Sequence, residues 1–281
     1  MNKKTYLYAG GALLGACAIA SYRQNHVLDV SVHSFDHDKL PSAFEGFRIL
    51  HISDLHDAKF GRGQRSLLKE VKVLQPDAVF LSGDMIDRRK TNERTIRSNY
   101  AFIEGITKIA PVYYVPGNHE ATSGMYAAFK QYMLDHGVHV LENSKTEISR
   151  ENQSITLLGL KDPRFYSYDS SRFEENLHHL CAMREDNTFC MLLTHRPEAF
   201  PLYAQYGIDL CFCGHAHGGQ VRLPKLGGLY APDQGLMPYY TSGLYQVDSS
   251  SMIISRGLGN SRAPQRVNNH PELILITLHK K

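Results

Sequence analysis

The run Phe47-Arg-Ile-Leu-His-Ile-Ser-Asp-Leu-His56 decides how this chain is read. Its apolar half, Phe47 to Ile52, reads as a buried strand, and it runs straight into Asp54 and His56. Two residues apart on extended backbone, a carboxylate and an imidazole project to the same side. Four later segments repeat the arrangement. Gly83-Asp84-Met-Ile-Asp87 follows Ala78–Leu81, and Gly117-Asn118-His119-Glu120 follows Val112–Val115. Thr194-His195 follows Phe189–Leu193, and Gly214-His215-Ala-His217 follows Ile208–Phe212. A strand end is where rigid backbone hands over to a loop, so side chains placed there can converge on one point.

Outward from these segments, strands alternate with helical patterns. Leu67, Leu68, Val71 and Leu74 share one face of a helix over 64–74, which Pro76 stops. Further helices are expected over 91–109, 123–136 and 172–183, the third of these patterns closing near Met183 and the second at Gly137, a left-handed cap. Alternation of this kind predicts a parallel, buried sheet. Later segments change character: a hairpin over 145–150 and 154–159, then strands near 189–193, 208–212, 251–255 and 273–278. The expected organisation is one α/β catalytic domain over 44–281, built of two packed sheets with helices outside, preceded by a spacer and lead-in strand over 23–43 and by a membrane segment over 1–22.

At 281 residues the chain can bury one large core. Its formal net charge is only +3, and Arg88-Arg89-Lys90 is its longest basic block, so charge indicates no nucleic-acid partner. Five cysteines are present, and Cys190, Cys211 and Cys213 lie in strand-like runs as small hydrophobes. Lys3-Lys4 precede an uncharged stretch from Thr5 to Tyr22, at the lower limit of length for spanning a bilayer. The charges favour a cytoplasmic N-terminus and a catalytic part outside the cytoplasm. A lipoprotein anchored at Cys17, after Leu14-Gly15-Ala16, and a cleaved secretory signal are the competing readings.

The strand-end residues have a shared chemistry. Asp84, after a glycine, can offer an oxygen to each of two ions while its charge offsets their repulsion. Asn118 supplies a neutral oxygen, and His195, His215 and His217 supply nitrogens. A nitrogen and oxygen donor set without thiolate suits Mn, Fe, Zn or Co. Two divalent ions about 3.5–4 Å apart would clamp both oxygens of an in-line displacement. Singly, each segment has a plain reading as a helix cap, a turn or a surface histidine. Their joint recurrence at strand ends carries the inference.

The blocks D-x-H, G-D-x-x-D, G-N-H-[ED], H and G-H-x-H resemble the pattern of the calcineurin-like metallophosphoesterase superfamily, from Asp54 to His217. The flanks Gly214–Pro224, Gly227–Pro232, Tyr240–Tyr245 and Ser255–Asn260 are similar to its membrane-associated bacterial branch, typified by the YkuE and YaeI phosphodiesterases. The resemblance implies a four-layer αββα sandwich of two mixed sheets. It also implies that Asp54, His56 and His217 bind one ion, that Asn118, His195 and His215 bind the other, and that Asp84 bridges them. His119 would be the general acid and Asp87 would orient it, whereas Glu120 is expected to support a loop. The arginine that precedes G-N-H-E in protein phosphatases is Pro116 here, which weakens the grip on a dianionic monoester and favours a diester. The expected activity is hydrolysis of a phosphodiester at the outer face of the membrane, with a lipid-linked ester among the candidate substrates. A broad phosphomonoesterase and a catalytically silent metal- or phosphate-binding homologue are the alternatives.

Overall fold

The computed structural model describes residues 3–260 and 263–281, with the side chains of the first helix described from Leu14 onward. Two six-stranded sheets form the frame. The first runs in the order Asp29–His37, Glu272–Lys280, Phe47–Ile52, Ala78–Leu81, Val112–Tyr114, His139–Val140. The last four of these strands are mutually parallel, and Glu272–Lys280 meets Phe47–Ile52 antiparallel. The second runs in the order Gly243–Val247, Ser250–Ile254, Leu210–Cys213, Cys190–Leu193, Gln153–Gly159, Ser144–Arg150, with a parallel centre and antiparallel edges. Both sheets are therefore mixed. Strand–helix alternation foretold the parallel run of the first sheet, whereas the parallel centre of the second was not anticipated. The antiparallel pairings come from hairpins at the edges of the second sheet and, inside the first, from the C-terminal strand, which local pattern does not place.

The alternation of side chains across each strand sorts the core. Ile49, Phe80, Val115, Leu157, Leu193 and Phe212 are buried together between the sheets. Leu50, Val79 and Leu81 point the other way, onto Leu67, Val71, Phe102 and Phe129. These come from helices Arg65–Leu74, Arg97–Ile106 and Tyr126–Asp135. Leu158, Leu192 and Met252 pack on Phe173, Leu177 and Phe200 of helices Ser170–Ala182 and Phe200–Gln205. Cys190, Cys211 and Cys213 lie in this last layer, as small hydrophobes should.

Two expectations are corrected. The helix expected from residue 91 begins at Arg97. Thr91 and Thr95 spend their hydroxyls on Asp57, and Asn92 accepts from the amides of Arg94 and Thr95, so local side-chain bonds hold 91–96 as a turn. At the N-terminus Lys3–His26 is one helix, and residues 1 and 2 of the expected membrane segment lie outside the described residues. Among the described residues no helix is long and apolar enough to cross a membrane, so the expected transmembrane helix is not met. The run is dominated by Ala and Gly, each of which offers little apolar surface.

Phe80 lies at 0% exposure between the sheets, edge-on to Phe212 at 4.9 Å and to Tyr113 at 5.7 Å. Phe80→Ala leaves a cavity that neither sheet can close. We expect a stability loss of about 3–5 kcal/mol by denaturant unfolding, and a loss under about 1 kcal/mol would show that the two sheets collapse onto the gap.

Candidate metal centre

Phe47–Ile52, Ala78–Leu81 and Val112–Tyr114 are parallel neighbours, so their C-terminal ends share one edge of the first sheet. That edge delivers Asp54 and His56, Asp84 and Asp87, and Asn118 and His119. Cys190–Leu193 and Leu210–Cys213 are likewise parallel and deliver His195, His215 and His217 from the second sheet. All nine side chains belong to buried residues, none more than 8% exposed.

They gather into two adjoining groups. In the first, His56 Nε2 lies 3.6 Å from Asp54 Oδ1 and 3.2 Å from His217 Nε2, and His217 Nε2 lies 3.2 Å from Asp54 Oδ1. The second holds Asp84, His195 and His215, whose donor atoms all lie within 4.8 Å of one another. Asp84 Oδ2 is 3.3 Å from His195 Nε2 and 3.6 Å from His56 Nε2, so this carboxylate faces both groups. His195 Nδ1 lies 2.7 Å from the Ser82 carbonyl and donates to it, which turns Nε2 inward as a lone-pair donor. Asp54 Oδ1, Asn118 Oδ1 and His195 Nε2 are buried without a hydrogen-bond partner. Native interiors seldom leave such atoms unmatched, and unmatched acceptors at these strand ends fit the binding of cations.

Electrostatics points the same way. Burial works against the ionised forms of Asp54 and Asp84, yet imidazole neighbours, His217 and His56 for Asp54 and His195 and His119 for Asp84, hold both carboxyls well below their usual range. Burial also opposes charge on His195, but the Asp84 and Asp54 carboxylates outweigh it and push the imidazole up to about 10. The pocket therefore draws positive charge. Its backbone is unusual as well. Asp54, His56, Asp84, His215 and His217 all take positive φ, between 45° and 66°. A cluster of non-glycine residues in that region marks local strain of the kind found at functional sites.

Close backbone approach explains two glycines. A Cβ on Gly117 would stand 2.4 Å from Asp84 Oδ1, and one on Gly214 would stand 2.5 Å from Asp54 Oδ2. Glu120 then ties the loops together. Its carboxylate accepts from the amides of Gly117 and Asp84 through Oε2, at 2.9 and 2.8 Å, and from those of Met85 and Ile86 through Oε1, at 2.8 and 3.2 Å. Burial, and then the charge of Asp84, push its carboxyl up to about 7. Asp57 turns away from the centre, onto Thr91, Thr95 and Asn99.

The expected His119–Asp87 pair is in contact without a hydrogen bond. His119 Nδ1 lies 3.6 Å from Asp87 Oδ1 and instead takes the Arg88 amide at 3.2 Å. Asp87 spends Oδ1 on the Arg89 amide at 2.8 Å, as a turn residue does, and its Oδ2 lies 3.8 Å from His56 Nδ1. The carboxylate thus sits between the candidate acid and a candidate ligand. Burial lowers the affinity of His119 for a proton, but Asp84 and Asp87 more than reverse this and raise it.

Several residues at the site were not anticipated. Arg196, 2% exposed, grips Asp162 with two nitrogens, at 2.5 and 3.1 Å, and its third reaches His215 Nε2 at 2.9 Å and the Asp233 carboxylate. Asp162 in turn caps the turn Pro163–Tyr166 by accepting the Arg164 amide. Arg164 and Tyr168, set by that turn, line a cleft of about 220 Å³ together with Arg88, His119 and Asp84. The Tyr168 ring lies under two guanidinium groups, Arg164 at 4.7 Å and Arg196 at 5.5 Å. Arg196 directly follows His195 in sequence, but nothing local announces its partners, which lie 34 and 37 positions away.

Glu120→Gln keeps the size of the side chain and replaces one acceptor oxygen with a donor. Two buried amides lose their partner. We expect a loss of about 2–5 kcal/mol in unfolding free energy; an unchanged midpoint would show that the loops are held without this carboxylate.

Residues 47–219 match the family model described as calcineurin-like phosphoesterase. The chain is similar to the uncharacterized metallophosphoesterase YkuE of Bacillus subtilis, with 30% identity over 278 residues, 96% of this chain and 93% of that protein. The uncharacterized metallophosphoesterase YkoQ of the same organism is 27% identical over 268 residues, covering 92% of this chain and 93% of its own. Phosphodiesterase YaeI of Escherichia coli is 27% identical over 239 residues, covering 83% of this chain and 82% of its own. A family match across well over half of the sequence, joined to a buried donor set of this kind, makes the chain a calcineurin-like phosphoesterase and a metal-dependent enzyme of phosphoester hydrolysis.

Proposed function

We propose that this enzyme cleaves phosphodiesters with two divalent ions, one held by Asp54, His56 and His217, the other by Asn118, His195 and His215, with Asp84 shared between them. The observation that carries this reading is that Asp54 Oδ1, Asn118 Oδ1 and His195 Nε2 are buried without a partner, with His195 Nε2 3.3 Å from Asp84 Oδ2. When bound, the ions would supply an activated water and offset charge on the phosphoryl oxygens. The protein's own groups do the rest. Arg88 and Arg164 face the cleft and can hold non-bridging oxygens. His119, whose proton affinity is raised by Asp84 and Asp87, gives a proton to the leaving oxygen.

The preference for diesters now rests on other grounds than a missing arginine. Pro116 does remove one guanidinium, but Arg88 and Arg164 bring two to the cleft from elsewhere. That observation favours the phosphomonoesterase as the second reading. For the diester speak the apolar walls of the cleft, Tyr168, Tyr230 and Pro232, which suit a second ester substituent, and the activity in the name of YaeI. All seven proposed ligands and His119 are present, which weighs against a silent homologue. We further propose that the catalytic part works outside the cytoplasm, exported by the Lys3-Lys4-led apolar run as a signal segment or as a lipoprotein acylated at Cys17.

Asp84→Asn removes the shared charge. Turnover should vanish and bound metal, measured by elemental analysis, should fall; near-normal turnover after metal is restored refutes the two-ion assignment. His119→Ala should cost about 10²–10⁴-fold on alkyl diesters, and far less on bis(nitrophenyl) phosphate, whose leaving group needs little protonation. Equal losses across a leaving-group series would remove His119 from the acid role. For location, a C-terminal tag should be digested by protease added to intact spheroplasts. Protection of the tag until lysis would place the catalytic part inside.

A further inference from the structure

Between Gly219 and Tyr245 the chain leaves the second sheet and makes two short ladders, Arg222–Leu223 with Gly227–Gly228 and Tyr230–Ala231 with Gly235–Leu236. Leu229 joins them, donating to the Val221 carbonyl and accepting from the Met237 amide. A water-facing excursion would be polar. This one exposes Leu226 at 64%, Leu236 at 74%, Met237 at 52% and Tyr239 at 76%. Leu223, Leu226 and Tyr239 line one shared groove with Lys225. So many large apolar side chains on one excursion need a covering surface.

Three observations say what covers it. The first is charge. Over 221–245 the basic residues are Arg222 and Lys225, and the one acid, Asp233, spends its carboxylate on Arg196 and His215. Arg222 turns back onto the Gly218 carbonyl and Thr241, and Asp233 is paired though half-exposed, so what faces outward is apolar and aromatic with Lys225 as its cation, which suits an anionic membrane interface. The second is continuity. Val267 bridges Val221 and accepts the Arg222 amide. Its neighbours hold the end of the first helix: Asn25 accepts from the Arg266 amide at 3.0 Å and donates to the Pro264 carbonyl at 3.1 Å. The apolar N-terminal run, with Leu14, Ile19 and Tyr22 all more than 60% exposed, thus leaves the domain beside this excursion. The third is position. Tyr230 and Pro232 of the excursion also line the catalytic cleft.

We propose that the 221–239 excursion and the end of the first helix form one docking face for an anionic lipid bilayer, and that the cleft receives the phosphoester of an amphiphile lying in that bilayer. The idea rests on the phosphoesterase reading for its chemistry, but the docking itself does not. Leu226, Leu236 and Tyr239 enter the interfacial layer, Lys225 meets lipid phosphates, and Tyr230 stands where an ester substituent passes from bilayer to cleft.

The chain contains no tryptophan, so single probes can be placed in the full-length protein. Tyr239→Trp should shift its emission to the blue, and be quenched by brominated lipid, on addition of vesicles of phosphatidylglycerol and phosphatidylcholine. Leu134→Trp, on helix Tyr126–Asp135 and 45% exposed, should stay unquenched. Absence of quenching at position 239 overturns the docking face. So does a blue shift that grows with protein concentration without vesicles, which would assign the patch to a second copy. The triple variant Leu226→Ser, Leu236→Ser, Tyr239→Ser should lose roughly tenfold or more in rate on a vesicle-borne phosphodiester. Its rate on soluble bis(nitrophenyl) phosphate should stay within about twofold. Equal loss on both substrates overturns docking as the cause, whereas loss of neither substrate's hydrolysis shows that the face does not present substrate. Lipid-dependent quenching in a wild-type background that hydrolyses no phosphoester would leave the docking standing and the proposed function fallen.

Discussion

Asp54, Asp84 and Asp87 are buried within reach of one another, and the rest of the site is arranged to make that tolerable. Like charges brought together in a low-dielectric interior repel strongly, and each also loses its water. Imidazoles from both sheets offset part of this: His217 and His56 beside Asp54, His195 beside Asp84. Backbone amides offset more, since Asp84 Oδ1 accepts from His119 and Asp54 Oδ2 from His215. The arrangement needs loops carrying candidate ligands from two sheets at the same edge. That requirement is met because the parallel strands at the centre of each sheet all end on the same side. The left-handed backbone at five of these positions is the strain that results, and the tight packing of the two sheets sustains it.

Much of this was legible in the sequence, because strands and candidate ligands sit next to each other in the chain. Apolar runs of four to six residues gave the central strands nearly to their ends, and a glycine before Asp84, Asn118 and His215 marked where backbones pass closely. The two halves of the centre could be read as one set only because five short segments recur in one order. What escaped was long-range. Arg196 and Asp162 are separated by 34 positions, and a lone arginine after a histidine carries no sign that its guanidinium will be buried. The turn over 91–96 was hidden for the same reason, since Asp57 sits far from Thr91 in sequence and beside it in space. The Ala- and Gly-rich N-terminal run shows the opposite failure, where length and lack of charge suggested a span that its apolarity does not support.

The second sheet contributes more than ligands. Arg196 links His215, the capped turn that carries Arg164 and Tyr168, and Asp233 of the apolar excursion. Three loops that shape the cleft therefore meet at one guanidinium. A lysine in its place would offer a point charge without the planar fork that grips Asp162 twice. Cleft-lining groups on this side are thus tied to one another through Arg196.

Glu120 has a consequence of a different kind. It fixes the Gly83–Ile86 and Gly117–Glu120 loops through four amides, none of which belongs to an ion. The proposed ligand cage on that side is thus assembled by the polypeptide itself. Metal loading on that side would then fill a cage already formed rather than fold one. Which divalent ion fills it would follow the nitrogen and oxygen donors as well as supply.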